Sequence, residues 1–150
     1  HTNDAPSTII RLVDLGVENF LLTATLEAII AQRLVRRICS KCKEEYVPSE
    51  AELMELELRS DDVAGRTFFR GTGCSACNSS GYKGRLAVFE MMVLDDLIRE
   101  MIMSQASTAL LRQESRKRGM RTLRESGLLS IYDGRTTIDE VLRETISEEV

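Results

Sequence analysis

The sequence predicts an α/β protein with an inserted four-cysteine subdomain and a helical C-terminal region. All four cysteines fall into two Cys-x-x-Cys pairs, Cys39 with Cys42 and Cys74 with Cys77. The nearly continuous apolar run at residues 86–94 is typical of a strand that is covered on both faces. Helix-capping signals recur after this run, which indicates that the rest of the chain is helical.

The spacing of the cysteines predicts a zinc site. A Cys-x-x-Cys pair lets two thiolates from one tight turn reach a single tetrahedral ion, and two such turns complete the ligand shell of a structural Zn²⁺. Because four thiolates leave no open position for water, the metal is predicted to be structural and not catalytic. Residues 43–73 lie between the pairs and have few apolar side chains, so the metal would clamp the base of this inserted segment.

Three alternatives to zinc remain open: two disulfides, one redox Cys-x-x-Cys beside a spare pair, or four unrelated thiols. The start of the chain, residues 1–4, has no basic stretch leading into an apolar run, so no signal peptide supports an oxidising compartment. In a reduced cell the same cysteines favour a metal. A redox site of the thioredoxin type would also leave the second pair unexplained.

Composition limits the function classes. With 150 residues and 43% hydrophobic content, the chain can bury one core, or a modest core plus a metal-stapled satellite. The net charge of −4 argues against nucleic-acid binding. No apolar run approaches the roughly 20 residues that span a bilayer, so we expect a soluble protein that meets a membrane only through a partner. The chain opens without a methionine, and we expect it to be a fragment of a longer protein.

The first third of the chain predicts two helices and one ambiguous segment. Ser7 or Thr8 can cap a first helix that ends before Gly16 at the C′ position. Residues 18–30 predict a second helix with a broad apolar face, which should lie in the core. Residues 32–38 fit either a continuation of this helix or a short strand.

The inserted segment predicts one helix and one strand. Residues 49–52 have capping-box spacing for a short acidic helix that runs to about Arg59, and residues 67–69 read as a short strand. If residues 32–38 form a strand, residues 86–94 are its natural partner, and the inserted segment is the connection between the two. In the helical region after this strand, the predicted caps are Asp95, Ser107, Thr122 with Glu125, and Thr137 with Glu140.

Few residues outside the cysteines point to chemistry on their own. Glu90 lies within the apolar run, and a buried carboxylate needs a partner, most simply an arginine in a salt bridge. A basic run comprises Arg33, Arg36 and Arg37 with Lys41 and Lys43; it could face a phosphate, but such a run is typical of a solvated face. Arg85 taken alone is a loop arginine. Because no Gly-x-x-x-x-Gly-Lys-[Ser/Thr] is present, the chain shows no phosphate-cradling loop.

Three stretches in order carry a specific resemblance: HTNDAPST at residues 1–8, AQRLVRRICSKC at 31–42 and GTGCSACNSSGYKGRLAVFE at 71–90. Together they resemble the C-terminal part of the secretion ATPase family, which comprises type II secretion ATPases and type IV pilus assembly ATPases. The resemblance covers essentially the whole chain. It implies that residues 1–38 belong to a RecA-like ATPase core, 39–84 to a zinc-binding subdomain, 85–94 to a returning core strand and 95–150 to a helical C-terminal subdomain.

The resemblance also implies site residues. HTNDA looks like the family's histidine box, which gives His1 a catalytic role near the γ-phosphate of ATP. Arg85 is implied to bind the nucleotide phosphates, for which a guanidinium offers bidentate contact. The four cysteines, Cys39, Cys42, Cys74 and Cys77, are implied to hold the family's zinc.

The implied parent is a hexameric ATPase that uses ATP and magnesium to power pseudopilus assembly for protein secretion across the outer membrane. It would work in the cytoplasm at the inner membrane, with the other subunits and inner-membrane platform proteins as partners. The alternatives are a type IV pilus assembly ATPase, or a zinc-stabilised docking module without nucleotide contact. The family's Walker A and Walker B motifs would lie upstream, so this chain alone is expected to be inactive.

Overall fold

The computed structural model describes residues 2–145 and shows a mixed α/β protein, as predicted. The strands are β1 (Ala28–Ile38), β2 (Lys43–Tyr46), β3 (Phe68–Gly71) and β4 (Tyr82–Val93). The helices are α1 (Ala5–Asp14), α2 (Asn19–Thr25), α3 (Glu50–Glu55), α4 (Asp96–Met103), α5 (Thr108–Lys117), α6 (Leu123–Tyr132) and α7 (Ile138–Glu144).

The described chain divides into two compact units. Unit 1 holds residues 2–32 and Phe89–Leu123, and unit 2 holds Arg33–Val88 and residues 124–145. Strands β1 and β4 therefore contribute residues to both units. The domain boundaries expected from the sequence stay a prediction.

Helix α1 opens unit 1 and is capped by a residue that the sequence did not single out. The Oδ1 of Asp4 accepts a hydrogen bond from the backbone N–H of Ser7 at 2.9 Å. The prediction of a cap at Ser7 or Thr8 is wrong, because both of these residues lie within the first turn, where their hydroxyls donate to the carbonyl of Asp4. The predicted end is confirmed, since Gly16 follows the C-cap residue with a φ of 93°.

The second predicted helix is shorter and less buried than expected. Helix α2 ends at Thr25, and the chain becomes strand β1 at Ala28. Phe20 is 57% exposed, although Leu22 of the same helix is buried. The β-branched pair Ile29 and Ile30 explains the early change, since such side chains favour extended backbone. Residues 32–38 belong to the strand.

Strands β1 and β4 pair as neighbours in a two-stranded sheet, which confirms the predicted partnership. The bonds Cys39 N to Gly81 O and Leu94 N to Glu27 O, both 2.9 Å, flank the pairing and show that the strands are antiparallel. The expectation that β4 is covered on both faces is wrong. From Val88 onward its side chains alternate between buried and exposed, and three that stay half exposed are Phe89, Met91 and Val93.

Unit 1 has a core formed by α1, α2, α4, α5 and the end of β4. The predicted caps of α4 and α5 are confirmed. The carboxylate of Asp95 accepts from the N–H of Ile98, and the hydroxyl of Ser107 accepts from the N–H of Leu110. The buried residues of this core are Ala5, Ile9, Leu22, Met92, Leu94, Ile98, Ile102, Leu111 and Met120.

Unit 2 is built around a second, smaller antiparallel sheet. Strand β2 pairs with β3 in the register Lys43 to Gly71 and Tyr46 to Phe68. The sequence predicted β3 but not β2. Helix α3 carries the predicted capping box between Ser49 and Glu52 and ends at Glu55, sooner than expected.

The core of unit 2 combines the inserted segment with the C-terminal helices. Helices α6 and α7 supply packing partners for the few apolar side chains of the insertion. The cluster comprises Leu53, Leu56, Val63 and Phe68 from the insertion together with Ile131, Ile138 and Val141 from the two helices.

Candidate metal centre

The first cysteine turn lies between two strands. Cys39 directly follows β1, and Cys42 directly precedes β2. The N–H of Cys42 donates to the carbonyl of Cys39 at 3.3 Å, which closes the turn and brings the two side chains to one side. Cys39 is buried and Cys42 is half-buried.

The second turn repeats this arrangement after β3. The N–H of Cys77 donates to the carbonyl of Cys74 at 3.3 Å, and residues Ser75–Cys77 form a single 3-10 turn. Asn78 and Ser79 then take left-handed backbone angles, with φ of 52° and 60°. The N–H of Ser79 returns to the carbonyl of Cys74 at 2.8 Å, so the chain wraps tightly around the cysteine side chains.

Two glycines let the chain segments that carry the turns approach each other. A Cβ at Gly71 would lie 2.1 Å from the carbonyl oxygen of Gly81, and a Cβ at Gly81 would lie 2.5 Å from that of Gly71. Real Cβ atoms do not come this close to backbone oxygens, so both positions require glycine. The backbone contact places the end of β3 directly against the start of β4.

The four sulfur atoms form one cluster. The Sγ–Sγ distances are 3.9 Å for Cys39–Cys74, 3.9 Å for Cys42–Cys77 and 3.7 Å for Cys74–Cys77, and all four atoms lie within 4.8 Å of one another. A tetrahedral ion with Zn–S bonds of about 2.3 Å separates its sulfur ligands by about 3.8 Å. The cluster therefore fits one tetrahedral metal ion.

Backbone amides point at two of the sulfurs. The N–H of Gly73 donates to the Sγ of Cys42, and the N–H groups of Cys74 and Gly81 donate to the Sγ of Cys77, each at 3.3 Å. Burial raises the pKa of Cys42 to about 11 despite its amide donor. Burial also acts to raise the pKa of Cys77, but its two amide donors and the neighbouring thiols lower that pKa to about 6.

This arrangement bears on the alternatives left open by the sequence. The four cysteines are free thiols, and both pairs contribute to the same cluster. Neither four unrelated thiols nor one redox pair beside a spare pair predicts such convergence. Amide donors stabilise sulfur as the thiolate, which is the form that binds metals. The cluster is compatible with metal binding.

The other two predicted site residues do not lie in this cluster. His1 lies outside the described residues. Arg85 is exposed on β4, and its side chain has no hydrogen-bond or ion-pair partner within residues 2–145. Gly84, directly before it, has a φ of 81°, a conformation in which glycine is favoured.

Arg36, which the sequence placed in a solvated basic run, anchors a network in unit 2. Its guanidinium contacts the buried carboxylate of Glu140 through Nε and Nη2, each at 2.8 Å, and its backbone N–H donates to the same carboxylate at 2.6 Å. The guanidinium also lies 4.1 Å from the ring centre of Tyr82. The predicted cap of α7 is confirmed, since Thr137 accepts from the N–H of Glu140.

Within residues 2–145, no helix is both long enough and apolar enough to cross a membrane.

The fold and the cluster define a mixed α/β protein in which four thiols converge on one metal-sized site between paired strands. Comparison with known proteins identifies its family. The chain belongs to the family of Type II/IV secretion system proteins, whose model matches residues 1–143.

Named relatives come from both branches of this family. The chain is 44% identical to the type IV pilus assembly ATPase PilB of Thermus thermophilus, over 97% of this chain and 16% of that protein. It is also 44% identical to PilB of Myxococcus xanthus, over 97% of this chain and 26% of that protein. Against the type II secretion system protein E of Pseudomonas aeruginosa it is 40% identical, over 99% of this chain and 29% of the relative. The chain thus spans less than a third of the length of these relatives.

Proposed function

We propose that this chain is the C-terminal part of a hexameric ATPase that powers pseudopilus assembly for type II secretion. The observation that carries the proposal is the family match over residues 1–143 together with the convergence of all four cysteines. In this proposal, residues of a RecA-like core surround the zinc-binding segment, and ATP and magnesium bind to motifs upstream. The complete ATPase acts at the cytoplasmic face of the inner membrane, with platform proteins as partners.

The zinc ion has a structural role in this proposal. Cys39, Cys42, Cys74 and Cys77 supply four thiolates, and the Sγ separations of 3.7 to 3.9 Å support a tetrahedral ion. A bound Zn²⁺ supplies positive charge that keeps all four thiols deprotonated. The metal would hold the end of β1, the start of β2, the end of β3 and the start of β4 together. No chemical step is assigned to it.

Two residues of this chain are proposed to reach the nucleotide. Arg85 is supported by its exposed guanidinium, which is not engaged by another side chain within residues 2–145 and so stays available for phosphate oxygens. His1 is proposed to stabilise charge near the γ-phosphate. Phosphoryl transfer depends mainly on positioned cations and donors, so the loss of either group should lower the rate without removing the fold.

A second candidate is assembly of a type IV pilus. Its support is the 44% identity to two PilB proteins, against 40% for the type II secretion protein E of Pseudomonas aeruginosa. Expression of the full-length protein in strains lacking one or the other ATPase separates the two, through restored secretion or restored pili.

The nucleotide role is tested by replacing Arg85 with Gln in the full-length protein. Removal of one phosphate-contacting guanidinium should lower kcat about 10²-fold or more, as for other donors to transition-state charge. The measurement is the steady-state ATPase rate at saturating ATP, with melting temperature as a check on folding.

Lys83→Gln is the matched control, because Lys83 is also exposed on β4 and its replacement removes the same charge two positions earlier. The control should retain the wild-type rate. An equal rate in the Arg85 variant and the control would argue for the third possibility, a zinc-stabilised docking module in which this part of the chain does not meet the nucleotide.

A further inference from the structure

The four cysteines of the cluster differ in how far solvent reaches them. Cys39 and Cys77 are buried, with 1% and 7% of their surface exposed, whereas Cys42 and Cys74 are half-buried. The two residues that follow Cys74 in its turn are exposed as well. A reagent in solution therefore reaches the cluster at Cys42 and Cys74.

Hydrogen bonds from the backbone distinguish these two accessible sulfurs. The Sγ of Cys42 accepts the N–H of Gly73 at 3.3 Å. Within residues 2–145, no N–H group donates to the Sγ of Cys74, whose contacts are the sulfurs of Cys39 and Cys77. Of the four cysteines, Cys74 is thus the one that is both accessible and free of amide donors.

Amide donors change the reactivity of a thiolate that is bound to a metal. With Zn²⁺ in the site all four sulfurs are deprotonated, so the degree of protonation does not distinguish them. An N–H group that donates to the sulfur stabilises its negative charge, and this stabilisation is lost when the sulfur forms a bond to an electrophile. An accessible thiolate without such a donor should therefore react first.

We propose that Cys74 is the reactive cysteine of this site, at which alkylating agents and peroxides modify the protein first, an inference that rests on the zinc site of the proposed function. Alkylation by iodoacetamide joins the sulfur to the reagent's CH₂ carbon and releases iodide. Oxidation by hydrogen peroxide goes further, because a second thiolate of the same site lies next to Cys74.

The reaction with hydrogen peroxide takes two steps. The thiolate of Cys74 attacks one oxygen, the O–O bond breaks, and a sulfenic acid forms with release of hydroxide. A second thiolate attacks the sulfur of the sulfenic acid, the S–O bond breaks, and the disulfide forms as a second hydroxide leaves. The two sulfurs together lose two electrons, which reduce the peroxide to the two hydroxide ions.

Cys77 supplies the second thiolate. Its Sγ lies 3.7 Å from that of Cys74, and both residues belong to one turn, which the N–H of Cys77 closes by donating to the carbonyl of Cys74. The Sγ of Cys39 is 3.9 Å away but belongs to the other turn, so a disulfide there requires the two turns to move together. A disulfide between Cys74 and Cys77 removes two of the four ligands, and the zinc ion is released.

The first test follows alkylation of the wild-type, full-length protein. Reduced, zinc-loaded protein is treated with a limiting amount of iodoacetamide, and mass spectrometry measures the labelling of each cysteine over time. Cys74 should react about fivefold or more faster than Cys42, as the effect of one hydrogen bond on the thiolate predicts. Equal rates at these two cysteines, or earlier labelling of Cys42, would overturn the proposal.

Zinc content, measured before treatment, separates this inference from the metal site itself. If the protein holds one zinc per chain and labelling begins at a cysteine other than Cys74, only the inference is overturned. If the protein holds almost no zinc, the proposed metal site fails, and the reactive zinc-bound thiolate fails with it.

Hydrogen peroxide tests the second step. A zinc-binding dye follows release of the metal, and peptide mapping without reduction locates the disulfide. Each zinc released should be matched by one disulfide between Cys74 and Cys77. A first disulfide that does not contain Cys74 overturns the proposal, and a disulfide between Cys74 and Cys39 overturns the role of Cys77.

Cys74→His and Cys42→His form a matched pair of variants. Histidine is the fourth ligand in zinc sites with three cysteines, so each variant loses one thiol and keeps four ligands. Peroxide should release zinc from Cys74→His about fivefold or more slowly than from wild type, whereas Cys42→His should stay close to the wild-type rate. Equal rates in the two variants contradict the proposal. If either variant does not bind zinc, the labelling of the wild-type protein decides.

Discussion

Gly81 combines a left-handed backbone with a close approach to another strand end. Its φ is 78°, its N–H donates to the Sγ of Cys77, and a Cβ would lie 2.5 Å from the carbonyl oxygen of Gly71. We predict that Gly81→Ala lowers the free energy of unfolding by about 1–2 kcal/mol for the backbone angle, and by about 1–3 kcal/mol more for the clash. It should also weaken zinc binding, since the amide that faces Cys77 must move.

Gly65→Ala separates these two causes. Gly65 has nearly the same φ, 76°, but a Cβ there meets no atom within 4 Å. Gly65→Ala should lower the free energy of unfolding only by the about 1–2 kcal/mol that the backbone angle costs, and it should leave the zinc affinity unchanged. Urea unfolding and competition with a zinc-binding dye measure the two quantities. Equal effects of both variants would contradict a steric role for the Gly71–Gly81 contact.

At the residue scale, the sequence predicted the cysteine cluster better than its surroundings. A Cys-x-x-Cys pair brings its two thiols together within one turn, and two such pairs together match the four ligands of one zinc ion, so the cluster could be predicted from spacing. Gly71 and Gly81 are each required because the backbone of the other lies against it, on the far side of the second cysteine turn. A local sequence pattern gives no sign of such a contact. The cap at Asp4 was missed for a different reason, because Ser7 and Thr8 offered equally good capping side chains.

At the scale of elements, α7 is tied to β1 by the carboxylate of Glu140. Besides its bonds to Arg36, the carboxylate lies 2.6 Å from the Nη2 of Arg143. Because it is buried and accepts from charged groups, Glu140→Gln should lower the free energy of unfolding by about 1.5–3 kcal/mol. Glu144→Gln, one turn along on the surface of α7, should cost no more than about 1 kcal/mol. Chemical denaturation at neutral pH compares them, and equal costs would show that the network is not structural.

The same carboxylate predicts a pH dependence. Burial acts to raise the pKa of Glu140, but the hydrogen bonds and charge of Arg36 lower it below the ordinary value of 4.5. Its contribution to stability is therefore complete above pH 4.5 and is lost as the pH falls through the lower pKa of the folded state. Thermal melts from pH 7 to pH 3 should show the gap between wild type and Glu140→Gln close on the acid side. A gap of the same size at pH 7 and pH 3 would contradict this assignment.

Elements whose signals are local were predicted, and those that depend on a distant partner were not. Strand β3 carries two phenylalanines and was predicted, whereas β2 reads Lys-Glu-Glu-Tyr, which has little strand character. It forms because β3 pairs with it and because Arg70 pairs with Glu44 at 2.8 Å across the sheet. Helix α2 shows the opposite error, since its apolar residues predicted burial that Phe20 does not have.

Residues 2–145 form two cores, and all four cysteines lie in the unit that contains the smaller sheet. Unit 2 comprises Arg33–Val88 and residues 124–145, and its buried cluster joins the inserted segment to α6 and α7. The core of unit 1 contains no residue of the inserted segment. The sequence could predict an inserted segment between two clustered cysteine pairs, but it could not predict that helices after β4 complete the core of that insertion. The inserted segment and the helices α6 and α7 are far apart in the chain, and no periodic pattern in the sequence indicates that they pack together.

This division predicts where metal removal acts. Purified, reduced protein should hold one zinc per chain, since the four thiols form a single site. Chelation removes the ion that joins the two cysteine turns, and it frees the turns that β2 and β3 depend on. Amide hydrogen exchange should then speed up in Lys43–Tyr46 and Phe68–Gly71, and much less in α4 and α5, whose core holds no cysteine. The double variant Cys74→Ser with Cys77→Ser should reproduce the pattern without chelator.

Far less than one zinc per chain, with exchange that does not respond to chelator, would refute the metal site. Equal acceleration in both units would instead refute the separate contribution of the two cores.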